Sequence, residues 1–189
     1  MDKRIFIILG LVIVLCATGV YRVLANQNKE VNMNGKKILI AYFSHSGNTR
    51  AVAEKIQGVT GGDLFEIKPA KPYPAQYNAV VEIGRQEKEN NVYPELTDNG
   101  NVENYDIIFL GTPVWWYTMA GPVKTFIKNN NFDGKTIAPF CTHGGGGASS
   151  TYTDMQKLAP NAVVTEGFTS YENSAKTDDV KNWINSLKF

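Results

Sequence analysis

The sequence predicts an α/β protein, a doubly wound five-stranded parallel sheet with the strand order 2-1-3-4-5. Short apolar runs alternate with longer segments of helical periodicity, which is the pattern of repeated strand–helix units. The runs at 38–43 and 107–110 are continuous, as in strands that are buried on both faces. Crossovers between such strands are right-handed, and ligands bind at the carboxyl edge where the strand order reverses.

The first 25 residues predict a secretory signal peptide or a short membrane anchor. Lys3 and Arg4 precede an uncharged run of apolar or small residues over 5–21, which Arg22 ends. The run is long for a signal core and short for a spanning helix, so both alternatives stay open. Basic residues ahead of it favour export, and we expect an extracytoplasmic domain, membrane-anchored or secreted. The predicted division is 1–25 signal or anchor, 26–35 tether and 36–189 domain.

Composition excludes some classes of function. A formal net charge of +1 without a basic stripe argues against a dedicated nucleic-acid binder. Hydrophobic residues make up 43% of the chain and aromatic residues 11%, which suffices for a packed core. Cys16 lies in the apolar N-terminal run and Cys141 at the end of a predicted strand, so we expect no disulfide between them and a buried thiol at Cys141.

The elements follow in a regular order. Pro122 marks the first turn of the third helix, and Pro139 predicts a local irregularity in the fourth strand because it has no N–H to donate. We expect Arg50 and Lys124 to be exposed helix residues. The predicted strands are 38–43, 64–67, 105–111, 135–141 and 162–165, and the predicted helices begin near 48, 77, 121, 150 and 175.

The loop directly after the first strand, 44–49, predicts an anion site. It combines hydroxyl side chains with Gly47, which lets the backbone curl, and it leads into a helix whose first N–H groups lack partners. Neither a nucleoside-triphosphate loop nor a dinucleotide fingerprint is present, so a single phosphate monoester suits it best. The alternative is a turn capped by Asn48 or Ser46 that binds no ligand.

Two further strand ends carry unusual loops. Residues 112–117 place two Trp and one Tyr side chain together, and we expect one indole to cover the core and the other to face a flat ring. The glycine run 144–147 either lets backbone amides reach a ligand or is only a flexible loop. His143 is placed to bind a ligand carbonyl or to face solvent. All three loops leave carboxyl ends of strands and should therefore border one crevice.

Over 36–189 the sequence resembles the flavodoxin family. Ser-His-Ser-Gly-Asn-Thr looks like the family's phosphate loop with Ser46 in place of the usual threonine, Gly-Thr-Pro-Val-Trp-Trp is similar to its second flavin loop, and Phe-Cys-Thr-His-Gly-Gly-Gly resembles its third. Tyr117 stands where many relatives have glycine. The resemblance implies FMN as cofactor and these binding residues: Ser44, His45, Ser46, Gly47, Asn48, Thr49, Pro113, Val114, Trp115, Trp116, Tyr117, Thr142, His143, Gly144 and Gly145.

The resemblance also implies a redox function. The expected protein carries electrons to or from a partner protein or a small quinone-like acceptor, with no dedicated catalytic acid or base and no metal. The first alternative is an NAD(P)H-dependent reductase of quinones or nitro compounds, although the chain leaves no room for a separate nicotinamide domain. The second is a cofactor-free surface binding module of the same fold.

Overall fold

A computed structural model of the chain describes Met33 and residues 35–189. The predicted signal or anchor and most of the tether lie outside the described residues. In the described part, no helix combines the length and apolarity needed to cross a membrane. The strands are β1 (Ile38–Tyr42), β2 (Asp63–Glu66), β3 (Ile107–Trp115), β4 (Thr118–Met119), β5 (Thr136–His143), β6 (Val163–Val164) and β7 (Phe168–Tyr171). The helices are α1 (Asn48–Thr60), α2 (Tyr77–Asn90), α3 (Gly121–Asn129), α4 (Thr151–Leu158) and α5 (Thr177–Ser186).

The sheet confirms the predicted topology. Its order is β2-β1-β3-β5, with β6 and β7 both beside β5, and all of these pairs are parallel. β4 adds only a short antiparallel pairing to the end of β3. When β4 is set aside and β6 and β7 are taken together as one position, the order reads 2-1-3-4-5. β1 and β3 are therefore neighbours at the point where the order reverses.

The fifth position is split because of Pro139. β6 pairs with the start of β5 and β7 with its end, so Ala138 and Pro139 have no partner there. Thr165 N–H donates to the Ile137 carbonyl at 2.9 Å, so the backbone polar groups of Ile137 point toward the fifth position. Because alternate residues of a strand bond to the same neighbour, the backbone of Pro139 also points there. The expected irregularity is confirmed. The predicted strand 162–165 is shorter than expected, and β7 is a second piece.

Apolar side chains fill both faces of the sheet. On one face, α1 and α5 cover β1 and β3, and the Phe109 and Trp183 rings meet edge to face at 5.6 Å. On the other face, α3 and α4 cover alternate residues of the same strands, including Leu39 and Leu110. This two-sided burial explains why both strands are continuous apolar runs.

Lys124 corrects one expectation about the helices. Its side chain is only 8% exposed, although the sequence predicts an exposed lysine. The ammonium lies 3.1 Å from the Tyr93 hydroxyl and 4.6 Å from the centre of the Tyr93 ring, because the segment after α2 folds back over α3. Arg50 is exposed as expected and pairs with Glu66.

Candidate functional site

A cavity of about 510 Å³ opens at the carboxyl edge of the sheet, between the ends of β1, β3 and β5. The structure brings together eleven of the fifteen predicted site residues there. These are His45, Ser46, Asn48, Pro113, Val114, Trp115, Trp116, Tyr117, Thr142, His143 and Gly144. The other four, Ser44, Gly47, Thr49 and Gly145, belong to the same segments but do not line the cavity.

The first segment, the loop 44–49, leads into a helix without a side-chain cap. Gly47 is the N-cap of α1 in a left-handed conformation, φ 92°, and no side chain of the described residues caps the helix. The predicted cap by Asn48 or Ser46 is therefore wrong. The first helical hydrogen bond runs from Ala51 N–H to the Gly47 carbonyl at 3.0 Å. The N–H groups of 48–50 thus have no acceptor among the described residues, and the positive end of the helix dipole adds to them.

The hydroxyls of this segment divide into two roles. Ser44 Oγ accepts from Gly47 N–H at 3.1 Å and so shapes the turn. Thr49 is buried, and its Oγ1 lies 2.8 Å from Thr142 Oγ1, which joins the first segment to the third. Ser46 and Asn48 line the cavity, and their side chains have no hydrogen-bond partner in the described part. Both side chains therefore remain available to a ligand.

The second segment is a strand and a tight hairpin, where the sequence predicts a loop over 112–117. β3 continues to Trp115, turns through Trp116 and Tyr117, and returns as β4. Both turn residues have positive φ, 50° and 68°, as in a type I′ turn. Side chains with a Cβ pay about 1–2 kcal/mol for this conformation. Surrounding contacts must therefore stabilise the turn.

Both neighbouring helices supply such contacts. From α2, the Val81 carbonyl accepts from the Trp116 indole Nε1–H at 2.8 Å, and the Lys88 ammonium donates to the Trp116 carbonyl at 2.7 Å. From the start of α4, the Ser150 N–H and hydroxyl donate to the Tyr117 carbonyl at 3.0 and 2.8 Å. The hairpin is thus fixed from two sides.

The two indoles have different environments. The Trp115 ring packs edge to face against Tyr73 at 5.0 Å and Phe43 at 5.5 Å, so it covers the core. Trp116 is 37% exposed and Tyr117 67% exposed, and both border the cavity. One indole therefore covers the core, as expected, and both indoles border the cavity. His45 lies edge-on to Trp115 at 6.1 Å and forms part of the same wall.

The third segment combines the end of β5 with glycines. β5 runs to His143, two residues beyond the predicted end. His143 Nδ1 accepts from Gly145 N–H at 2.9 Å, which leaves the ring proton on Nε2. Only Nε2 is therefore free to contact a ligand. Gly144 and Gly146 line the cavity with their backbones, whereas Gly145, at φ 134°, turns the chain between them.

A fourth wall comes from α2, which contributes none of the predicted site residues. Tyr77, Val80, Val81 and Gly84 line the cavity on this side. A Cβ at Gly84 would lie 3.4 Å from the Trp115 ring, so the glycine admits the aromatic wall. The helical spacing of Val80, Val81 and Gly84 on one face is the signal that could have found this wall. Gly146, from the predicted glycine run, also lines the cavity, whereas Ser149 and Glu172 line it and are absent from the prediction.

Two carboxyl groups behind the hairpin have shifted pKa values. Burial acts to raise the pKa of Asp154, but hydrogen bonds from Ser150 and Thr118, with Lys157 nearby, hold it below its usual value. The ionised carboxylate thereby ties β4 to α4. Burial raises the pKa of Glu87, which accepts from the Tyr73 hydroxyl at 2.7 Å. Among the described residues, no cluster of His, Cys, Asp or Glu is arranged to hold a metal ion.

The flavodoxin family model matches residues 37–187. The chain belongs to the flavodoxin family. A crystal structure from Bacteroides eggerthii, assigned as a flavoprotein, is 30% identical with a TM-score of 0.71 and aligns over 82% of this chain and 100% of that chain. A Lactobacillus acidophilus flavoprotein in complex with FMN is 29% identical with a TM-score of 0.63, over 79% of this chain and 99% of that chain. The predicted family and fold are therefore confirmed.

Proposed function

We propose that this chain is an FMN-dependent redox protein that transfers electrons to or from a partner protein or a small acceptor. One observation carries the proposal. An uncapped helix N-terminus, an exposed aromatic pair and a glycine-lined backbone segment meet in one cavity at the switch point of the sheet. The similar Lactobacillus acidophilus flavoprotein is a complex with FMN.

The first segment fits the phosphate of FMN. Three helix N–H groups have no acceptor in the described part, and a phosphate monoester supplies acceptor oxygens and negative charge together. Ser46 and Asn48 can add side-chain donors from the cavity wall. Thr49 supports the phosphate indirectly, because its hydroxyl contacts Thr142 and holds the first and third segments at a fixed distance.

The other walls fit the flavin ring. Trp116 and Tyr117 offer exposed aromatic faces, and the α2 residues Val80 and Val81 close an apolar side. The backbone at Gly144 and Gly146 can approach the polar edge of the ring without interference from side chains. The cavity volume of about 510 Å³ lies within the range of cofactor sites. Bound flavin supplies the electron-transfer chemistry, and these residues bind and orient it.

The choice between a carrier and a reductase depends on what reaches the exposed rim of the cavity. Tyr117 is 67% and Tyr77 79% exposed, so a protein surface or a small flat acceptor can approach there. The formal charge of +1 gives no strongly acidic surface for steering basic partner proteins. This favours a small quinone-like acceptor as a second candidate.

Turnover of the FMN-loaded full-length chain separates the candidates. A carrier is reduced by dithionite and reoxidised by a partner, but it does not couple NADH or NADPH oxidation to reduction of a soluble quinone. A reductase performs that coupled reaction with multiple turnovers. Free FMN at the same concentration is the control. A chain that binds no flavin rules out both candidates and leaves the cofactor-free binding module.

We also propose that the domain works outside the cytoplasm. The support is the sequence alone, with Lys3 and Arg4 ahead of the apolar run 5–21. A reporter fused after residue 35 that functions only after export should be active. The same fusion with Lys3 and Arg4 both changed to glutamate is the matched control. Activity of a reporter that works only in the cytoplasm would overturn the localisation.

A further inference from the structure

One lysine of α2 contacts both central residues of the β3–β4 hairpin. The Lys88 ammonium donates to the Trp116 carbonyl at 2.7 Å and lies 5.9 Å from the centre of the Tyr117 ring. These two residues have positive φ and line the cavity. Because the hydrogen bond is made to the carbonyl between them, it fixes the plane of the peptide at the tip of the turn.

The charge of Lys88 has no carboxylate partner in the described part of the chain. The neighbouring Arg85 on the same helix forms ion pairs with Glu82 and Glu89, whereas Lys88 takes part in no ion pair there. Its side chain instead reaches a carbonyl 28 residues away. The ammonium therefore adds positive potential next to Trp116 and Tyr117, two residues of the aromatic wall of the cavity.

Neutral groups anchor the turn at the Trp116 side chain and at the Tyr117 carbonyl, but these bonds do not reach the peptide between the two residues. The Trp116 indole already bonds to the Val81 carbonyl, and Ser150 already donates twice to the Tyr117 carbonyl. These neutral contacts hold the hairpin from α2 and from α4. What Lys88 adds to them is a full charge that is oriented toward the wall by its hydrogen bond and ring contact.

We propose that Lys88 is a positioning residue that also sets the redox potential of flavin bound in this pocket. It fixes the Trp116–Tyr117 peptide, and its charge makes the pocket hold reduced, more electron-rich flavin more tightly than oxidised flavin. The proposal rests on the proposed function, since it presumes that flavin occupies the cavity. Charge and position together distinguish Lys88 from the neutral anchors of the same turn.

The test compares three variants of the FMN-loaded full-length chain. Lys88→Met keeps the length of the side chain and removes both the charge and the hydrogen-bond donor, whereas Lys88→Arg keeps both. Lys128→Met is the matched control, because Lys128 is an exposed lysine of α3 that lies over the Tyr93 ring and is not among the residues that line the cavity. The readouts are the two-electron midpoint potential and, on the flavin-free protein, the near-ultraviolet circular dichroism of the aromatic side chains.

We expect Lys88→Met to lower the preference for reduced over oxidised flavin about tenfold, which is a midpoint potential about 30 mV more negative. Lys88→Arg and Lys128→Met should stay within about threefold of the unmodified chain. The near-ultraviolet signal of flavin-free Lys88→Met should weaken while the far-ultraviolet signal is unchanged. An unchanged potential in Lys88→Met, or an equal fall in Lys88→Arg or Lys128→Met, overturns the proposal.

Failure of this proposal is distinguishable from failure of the proposed function. If the unmodified chain binds no FMN, the redox function fails and no midpoint potential exists to compare. If it binds FMN and the three variants share its potential, the redox function stands and the role of Lys88 is refuted.

Discussion

Ser46 is the hydroxyl of the first segment that lines the cavity without a partner in the described part of the chain. Ser46→Ala should therefore weaken FMN binding while leaving the fold intact. A hydrogen bond to a charged group contributes about 1.5–3 kcal/mol. Because three helix N–H groups remain to hold the phosphate, we expect the lower end, about 1.5 kcal/mol or slightly more than tenfold in Kd.

The assay is fluorescence titration of flavin-free protein with FMN and, in parallel, with riboflavin, which lacks the phosphate. Riboflavin affinity should change less than twofold in Ser46→Ala. Ser46→Thr is the matched control, because it keeps the hydroxyl and should retain FMN affinity. Equal losses of FMN and riboflavin affinity in Ser46→Ala would show that Ser46 does not bind the phosphate and that the phosphate lies elsewhere.

Three further predictions concern the sheet, the thiol and a buried carboxyl group. Gly111→Ala should destabilise the fold by about 3 kcal/mol in urea unfolding, because the new Cβ would lie 2.8 Å or less from three ring carbons of Phe140; a loss under 1 kcal/mol would contradict the packing of β3 on β5. Cys141 is fully buried and burial raises the pKa of its thiol, so a thiol reagent should modify it at neutral pH only after unfolding; prompt labelling of Cys141 in the folded Cys16→Ser chain would contradict its burial. Burial raises the pKa of Glu87 above 4.5, so the folded state loses stability as the pH rises through that raised pKa. Glu87→Gln should remove this part of the pH dependence, and identical unfolding curves across pH for both proteins would contradict it.

The fold could be predicted because its central strands are buried on both faces. Continuous apolar runs at β1 and β3, each followed by a helix, leave few alternatives to a parallel sheet. Pro122 marks the start of α3 for a local reason, since its fixed φ and missing N–H suit the first turn. Pro139 is informative for the same reason, since its missing N–H meets the break between β6 and β7.

The features that the sequence does not predict depend on contacts between distant segments. The hairpin at Trp116 and Tyr117 requires positive φ at two aromatic residues, which local preference disfavours and which contacts from α2 and α4 stabilise. Lys124 is buried because Tyr93 packs over it, and no pattern within α3 indicates that contact. The wall contributed by Val80 and Gly84 depends on where α2 lies against the strand ends. Helical periodicity indicates that these residues share a face, but it does not indicate what that face contacts.

The flavin content of the purified full-length chain tests directly whether the cavity binds FMN. The protein is reconstituted with FMN, freed of excess cofactor, and denatured so that the released flavin can be identified and counted by chromatography. We expect one FMN per chain, with its phosphate at the N-terminus of α1 and its ring beside Trp116. A folded chain that retains no FMN after reconstitution would contradict it.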